Sequence, residues 1–225
     1  MNHPVNHRKV LIIGGHGQVA LLTIPRLIES GHEVTGLIRQ REHQADLEAL
    51  GATALIKDAT ELTVTEWGQL MARFDVVVWA AGNGGRAGPE VTTAVDRDAA
   101  AASVAAAAGL GENAPRYLMV SFAGSLDIEL EPEAALYVYA EAKKYVDRKL
   151  LATTGLEYLI LAPCVLTTDP ADGIEVIPND PRSAFQDTTS RDLVAAVITE
   201  MVGRDAFPND KILAFRDGGE PVHEL

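Results

Sequence analysis

The passage Lys9-Val10-Leu11-Ile12-Ile13-Gly14-Gly15-His16-Gly17-Gln18-Val19-Ala20 constrains this chain more than any other. Val10 to Ile13 form an unbroken run of large apolar residues, the signature of a parallel strand covered on both faces. The glycines behind it let the backbone turn sharply and approach a ligand without a Cβ in the way. A helical pattern begins at once, near Gly17. Gly15-x-Gly17-x-x-Ala20 fits the dinucleotide fingerprint, with alanine where helix and strand pack closely. The turn can also be read one residue earlier, as Gly14-x-x-Gly17-x-x-Ala20. In either register the free N–H groups opening the helix would face a pyrophosphate. The plain alternative is a tight strand-to-helix connection that binds nothing.

The same alternation continues along the chain. Leu21 to Ser30 reads as a helix with Leu22, Ile24, Leu27 and Ile28 on one face, stopped by Gly31. Glu33 to Ile38 reads as a strand, and Gln44 to Leu50 as a short helix. Ala52 to Ile56 is a third strand, Glu61 to Arg73 a helix, and Asp75 to Trp79 a fourth strand. The alanine-rich Val91 to Ala108 reads as a packing helix, since alanine favours helix and permits close approach to a sheet. Arg116 to Ser121, Glu157 to Ala162 and Lys211 to Phe215 are further strands. Glu133 to Thr153 is a long helix, and Ser190 is an N-cap for a helix reaching Val202. Phe185 is placed on a short strand. Strands and helices in this alternation predict an α/β fold, a doubly wound parallel sheet of the Rossmann type. The chain reads as a single domain over 1–225, with an irregular region from about 164 to 225 covering a substrate pocket.

The end of the second strand is where such a fold selects its nucleotide. An acidic residue there binds the ribose 2′-hydroxyl of NAD, whereas arginine accommodates the 2′-phosphate of NADP. Here Arg39-Gln40-Arg41 stands at that end, so NADP is the expected cofactor and NAD the alternative. Asp58 is positioned for an adenine edge, with capping of a turn as its structural alternative. Ala80-Ala81-Gly82-Asn83-Gly84-Gly85 is a small-residue patch that offers its backbone to a flat ligand.

Composition narrows the partners. A formal charge of −13 speaks against nucleic acid as a partner. A single cysteine, Cys164, rules out an internal disulfide, and together with a start lacking an apolar leader it predicts a cytoplasmic protein. No stretch is apolar enough to span a bilayer, and the six histidines lack metal-ligand spacing, so neither membrane nor metal is expected. A small-molecule substrate and a monomer or homodimer remain as the expectation.

A second constellation is Tyr139-Ala140-Glu141-Ala142-Lys143. Residues four apart share a helical face, so phenol and ammonium can point at one site. A nearby lysine would favour phenolate, lowering the tyrosine pKa and equipping it as acid or base toward a carbonyl or alcohol. Ser121 could donate or accept a hydrogen bond at the same oxygen. The ordinary alternative is a helix with a surface lysine.

Taken together the chain resembles the atypical short-chain dehydrogenase/reductase proteins, in the NAD(P)H-binding, NmrA-like and biliverdin-reductase-B-like branch. The resemblance runs through Ile13 to Ala20, where the earlier register of the glycine turn is that of short-chain dehydrogenases. It continues through Gly31-His32-Glu33-Val34, Leu37-Ile38-Arg39, Val95-Asp96 and Tyr117 to Ser121. Tyr139-x-x-x-Lys143-x-x-x-Asp147, Gly155 to Pro163 and Ser190 to Ala195 complete it. Ala162-Pro163-Cys164 stands where Arg-Pro-Gly is common. The resemblance implies a catalytic set of Ser121, Tyr139 and Lys143. With the turn, it gives an expected cofactor wall of Gly14, Gly15, His16, Gly17, Gln18, Val19, Arg39, Arg41, Asp58, Ala59, Ala80, Ala81, Gly82, Lys143 and Pro163. It implies an NADPH-dependent oxidoreductase; a nucleotide-sensing regulator and a sugar-nucleotide epimerase or dehydratase are the alternatives.

Overall fold

The computed structural model describes residues 7–82 and 84–225. The strands are β1 (Lys9–Ile13), β2 (Glu33–Ile38), β3 (Thr53–Ile56), β4 (Val76–Trp79), β5 (Arg116–Val120), β6 (Tyr158–Pro163), β7 (Val165–Thr167), β8 (Ile174–Val176), β9 (Thr188–Ser190) and β10 (Ile212–Asp217). The α-helices are α1 (Gln18–Glu29), α2 (Gln44–Ala49), α3 (Val64–Met71), α4 (Pro89–Thr92), α5 (Ala100–Gly109), α6 (Tyr137–Leu151), α7 (Ser183–Gln186) and α8 (Arg191–Gly203). An eight-stranded sheet runs in the order β3-β2-β1-β4-β5-β6-β10-β8. It is parallel except for β8, which pairs antiparallel with β10 at the edge. This is the doubly wound Rossmann arrangement the alternating pattern predicts.

Alternation along the strands builds the core. Val10 and Ile12 pack with Ile24 and Leu27 of α1 and with Val197 and Ile198 of α8. Their neighbours Leu11 and Ile13 pack on the opposite face with Trp67 of α3, Val104 of α5 and Val146 of α6. Successive side chains of a strand point to opposite faces, so one apolar run serves two cores. The alanines of α5 let it lie close to the sheet, and Ser103 Oγ meets the Tyr117 hydroxyl at 2.7 Å beneath it.

Several boundaries differ from the sequence expectation. The first helix buries Val19, Ala20, Thr23, Ile24 and Leu27, and Leu22 is exposed. The helix begins at Gln18 behind Gly17, where the glycine turn places its start. Helix α3 begins after Thr63, because Thr63 and Glu66 form a reciprocal capping box. Helix α6 starts at Tyr137 rather than Glu133, since Glu131 and Ala134 close a separate turn before it. The Val91–Ala108 segment is not one regular helix. It passes from α4 through a π-helical stretch, Thr93–Ala99, into α5. Phe185 lies in the short helix α7, not on a strand. Ser190 caps α8 as expected, accepting from the Leu193 N–H at 3.0 Å.

The region from 164 onward is also more ordered than its composition suggests. β7 and β9 form a two-stranded parallel ribbon, and β8 joins the main sheet through β10. Helix α8 shares the core cluster of α1. No helix of the described residues is long and apolar enough to cross a membrane.

Candidate active site

Parallel strands bring their carboxyl ends to one edge of the sheet, and the order reverses between β1 and β4. A crevice opens at such a point. Its first half is a cavity of about 370 Å³ lined by Gly14, Gly15, His16 and Gly17 after β1, and by Arg39 after β2. Asp58 and Ala59 after β3, and Ala80, Ala81 and Gly82 after β4, complete the expected part of that wall.

The glycines divide the labour. The Gly14 and Gly15 N–H groups donate to Leu37 O at 3.2 and 2.9 Å, tying the turn onto β2. A Cβ on Gly15 would lie 2.7 Å from Gly36 Cα, so close strand packing demands glycine there. Gly17 is different: it is exposed, N-caps α1 without any side-chain bond, and borders the cavity. The first N–H to find an acceptor in the helix is that of Leu21, on Gly17 O at 2.9 Å. The N–H groups of Gln18, Val19 and Ala20 precede it and have no helical acceptor behind them. Uncapped donors at the positive end of a helix dipole, facing a crevice, fit a pyrophosphate.

Around the nucleotide end, Arg39 lines the cavity, whereas Arg41 opens a 3-10 turn, Arg41–His43, and is not part of the wall. Sequence reasoning missed His43 and Lys57, which do line it. The His16 and His43 rings stack 3.6 Å apart, and His16 Nε2 meets Asp46 Oδ2 at 2.8 Å. Asp58 keeps both of its expected roles open. Its Oδ1 accepts from the Thr60 N–H and hydroxyl at 2.9 and 2.7 Å, which makes it a turn cap, while the residue still borders the cavity. Partial burial pulls its carboxyl upward, but the Thr60 bonds and the charge of Arg39 outweigh this and hold it below its ordinary value.

The second half of the crevice is a cavity of about 590 Å³ that shares His16, Gly17, Ala80, Ala81 and Gly82 with the first. Gln18, Val19, Ser121, Tyr139, Lys143 and Pro163 all border it. Tyr139 and Lys143 lie one turn apart on α6, with Lys143 Nζ 6.0 Å from the Tyr139 ring centre. Phe122 stacks on Tyr139 with ring centres 5.8 Å apart. Lys143 Nζ donates to Val120 O at 2.9 Å and lies 3.9 Å from Asp96 Oδ1. Asp96 is buried, and the π-helical stretch carries it. A Cβ on Gly82 would lie 2.5 Å from the same oxygen, so Asp96 packs directly beneath the backbone surface after β4.

Two electrostatic expectations change. The sequence spacing predicts that Lys143 lowers the Tyr139 phenol, yet the phenol is pushed up. Burial is the larger cause, and the negative charges of Asp96 and Asp147 add to it. Lys143 directs its charge to Val120 O and Asp96 instead. Ser121 is also committed: its hydroxyl donates to Asp147 Oδ2, which accepts a second bond from Ser125 Oγ at 2.6 Å. The single proton of Ser121 is therefore used inside the protein, and toward a ligand it presents lone pairs.

Asp147 is fully buried, and burial raises its carboxyl although the two serines and Lys143 pull the other way. Asp147→Ala is expected to destabilise the fold by about 2–5 kcal/mol, since it strands two buried hydroxyls. Urea titration reads this loss. A raised carboxyl means that the folded state binds more protons, so this group's contribution declines as pH rises from the unfolded aspartate value through the folded one. Asp147→Asn, which cannot ionise, should flatten that part of the stability profile. Cys164 also borders the cavity, but burial, with Asp187 adding, pushes its thiol up to about 11. It serves as neutral wall rather than nucleophile. No group of three His, Cys, Asp or Glu among the described residues is placed to hold a metal ion.

Known proteins resemble this chain in sequence and fold. The sequence profile of the NAD(P)H-binding family matches residues 14–205. A Bacillus subtilis (strain 168) protein named uncharacterized sugar epimerase YhfK is 31% identical over 217 residues, covering 96% of this chain and 97% of its own. Among solved structures, a Bacillus halodurans protein named as an NAD-dependent epimerase/dehydratase superposes with a TM-score of 0.82 at 27% identity, covering 96% of this chain and 97% of that one. The Lactococcus lactis oxidoreductase ylbE gives a TM-score of 0.78 at 23% identity over 96% and 94% of the two chains, a likeness of fold. The chain belongs to the NAD(P)H-binding family, which is consistent with the atypical short-chain dehydrogenase/reductase group that its glycine turn and long-helix motif resemble.

Proposed function

We propose that the chain is an NADPH-dependent oxidoreductase that reduces a small carbonyl, quinone, flavin or related acceptor. One observation carries the reading: Tyr139 and Lys143 converge on the cavity that continues the crevice past Gly17. A nicotinamide held there would supply hydride. Lys143, fixed by Val120 O and Asp96, is placed to bind the ribose hydroxyls. Tyr139 keeps its proton because burial raises the phenol, and a protonated phenol beside a carbonyl oxygen is a proton donor. Ser121, its own proton given to Asp147, presents lone pairs to a substrate hydroxyl.

Sugar epimerisation, which the Bacillus subtilis relative's name suggests, is the reading that the acceptor panel tests against. The experiment is NADPH oxidation against a panel of carbonyl, quinone and flavin acceptors. A purified protein that binds NADPH in this crevice but oxidises it with no acceptor would instead be a nucleotide sensor.

The NADP preference rests on Arg39, which lines the nucleotide end of the crevice. Arg39→Ala is expected to weaken NADPH binding about tenfold and leave NADH unchanged, the lower end for a charge-assisted bond because the side chain is exposed. Arg41→Ala should change neither. Calorimetric titration of both nucleotides reads the outcome, and equal affinities in the unmodified protein would remove the preference.

A further inference from the structure

The cavity beyond Tyr139 combines two kinds of wall. Phe122, Leu136, Leu166 and Phe185 are apolar, while Arg86 and Arg191 bring two guanidinium groups to the same space. This is unexpected in a chain with 32 acidic and 19 basic residues. Five of the other arginines pair with a carboxylate, while Arg39, Arg41, Arg73, Arg116, Arg148 and Arg182 form no ion pair among the described residues. Arg216 pairs with Glu175 and Asp187, Arg204 with Glu200, and Arg97 with Asp98. Even Asp192, next in sequence to Arg191, is taken by Arg26. Arg86 and Arg191 form no ion pair among the described residues.

Arg191 is nevertheless fixed. Its Nη1 donates to Leu166 O and Thr167 O at 3.1 and 2.8 Å, anchoring the group to the strand that forms the cavity wall. Its Nε and Nη2 have no protein acceptor among the described residues. Burial, and then the charge of Arg86, depress the Arg191 guanidinium from its ordinary value, so the two cations act on each other. Like charges brought together at an apolar cavity are held there at a cost that an anion between them removes. Planar guanidinium forks suit a carboxylate or phosphate, and apolar walls suit the remainder of such a ligand.

We propose that this cavity takes a carbonyl compound bearing an anionic group, carboxylate or phosphate, with the anion between Arg86 and Arg191 and the apolar body against Phe122, Leu136 and Phe185. The position of the carbonyl at Tyr139 rests on the oxidoreductase reading; the anion site rests on the arginines alone.

The test is calorimetric binding to the intact protein saturated with NADP⁺. The probes are 4-formylbenzoate, its neutral methyl ester and 4-formylphenyl phosphate. At least one anion should bind about tenfold more tightly than the ester, as a charge-assisted contact provides. The tighter of the two anions identifies the source of the charge. The advantage should shrink to within about twofold in Arg86→Gln and in Arg191→Gln. Arg86→Gln is the decisive variant, because Arg86 is exposed and forms no hydrogen bond among the described residues, so its loss leaves the fold intact. An ester that binds as well as both anions, or an advantage that survives in Arg86→Gln, overturns the proposal. So does a loss of NADP⁺ affinity in place of anion preference, which would assign the arginines to the cofactor's pyrophosphate. NADPH oxidation with the same probes separates the two readings. Anion preference without turnover leaves the site and removes the oxidoreductase, while turnover of the ester without anion preference does the reverse.

Discussion

Gly17→Val should abolish useful nucleotide binding, weakening NADPH by roughly 100-fold or more, while the sheet stays folded. Gly17 has φ −70° and ψ 154°, an extended conformation that valine adopts without strain. A Cβ there would approach Gly14 O at 3.2 Å, a tight contact relieved by a small shift, and Ala80 O at 3.8 Å. The added methyl groups therefore fill the crevice instead of disturbing the core. Gly14→Val makes the opposite control. Gly14 has φ +85°, and its Cβ would lie 2.6 Å from Ala81 Cα in the turn after β4. That variant should lose stability by about 1–3 kcal/mol from backbone strain alone, before any effect on binding. Thermal unfolding and nucleotide titration measured on both variants distinguish a ligand cradle from a structural turn. Normal NADPH affinity in Gly17→Val would show that the exposed glycine is structural only.

Tyr139→Phe should lower kcat for acceptor reduction about 10²–10⁴-fold with NADPH affinity nearly unchanged. The phenol is the group that supplies the proton, and phenylalanine keeps the stacking on Phe122. Lys143→Ala should damage both quantities. Its ammonium is buried against Val120 O and Asp96, and removing it takes a cation away from the buried Asp96 carboxylate. The pH profile carries a separate signature. Reduction requires the protonated phenol, and burial with Asp96 and Asp147 raises that phenol. The alkaline fall in kcat should therefore lie above the ordinary tyrosine value of about 10, and the rate should stay flat through neutral pH as far as this group is concerned. A fall near pH 7 that disappears in Tyr139→Phe would mean that the phenol ionises early and acts as a base. Full kcat in Tyr139→Phe would transfer proton donation to water and leave the hydride reaction standing.

The parts of this protein that its sequence determined are those encoded by local rules. The Val10–Ile13 run specifies a strand buried on both faces, because its alternate residues must each find apolar cover. Gly17 at the mouth of the crevice follows from the spacing of a turn that must leave donors free, and Ser190 capping α8 follows from a serine ahead of an apolar helical pattern. Tyr139 and Lys143 share a wall because four residues make about one helical turn.

Tertiary structure decided what those groups do once they are brought together. Nothing in the spacing of Tyr139 and Lys143 says that burial raises the phenol, or that Asp96, from a π-helical stretch distant in sequence, takes up the ammonium and adds to that rise. Ser121 reads as a free hydroxyl until Asp147 and Ser125 are placed beside it. Arg41 leaves the cofactor wall because a 3-10 turn carries it aside, and Phe185 leaves its expected strand for a helical turn. Arg86 and Arg191 lie far apart in sequence and meet only because the β7–β9 ribbon anchors Arg191 at the cavity that Arg86 borders. For the charged and polar groups the reason is electrostatic. A side chain's period along the chain gives the direction in which it points, whereas its charge state and free donors depend on the burial and partners that the fold assembles from distant segments.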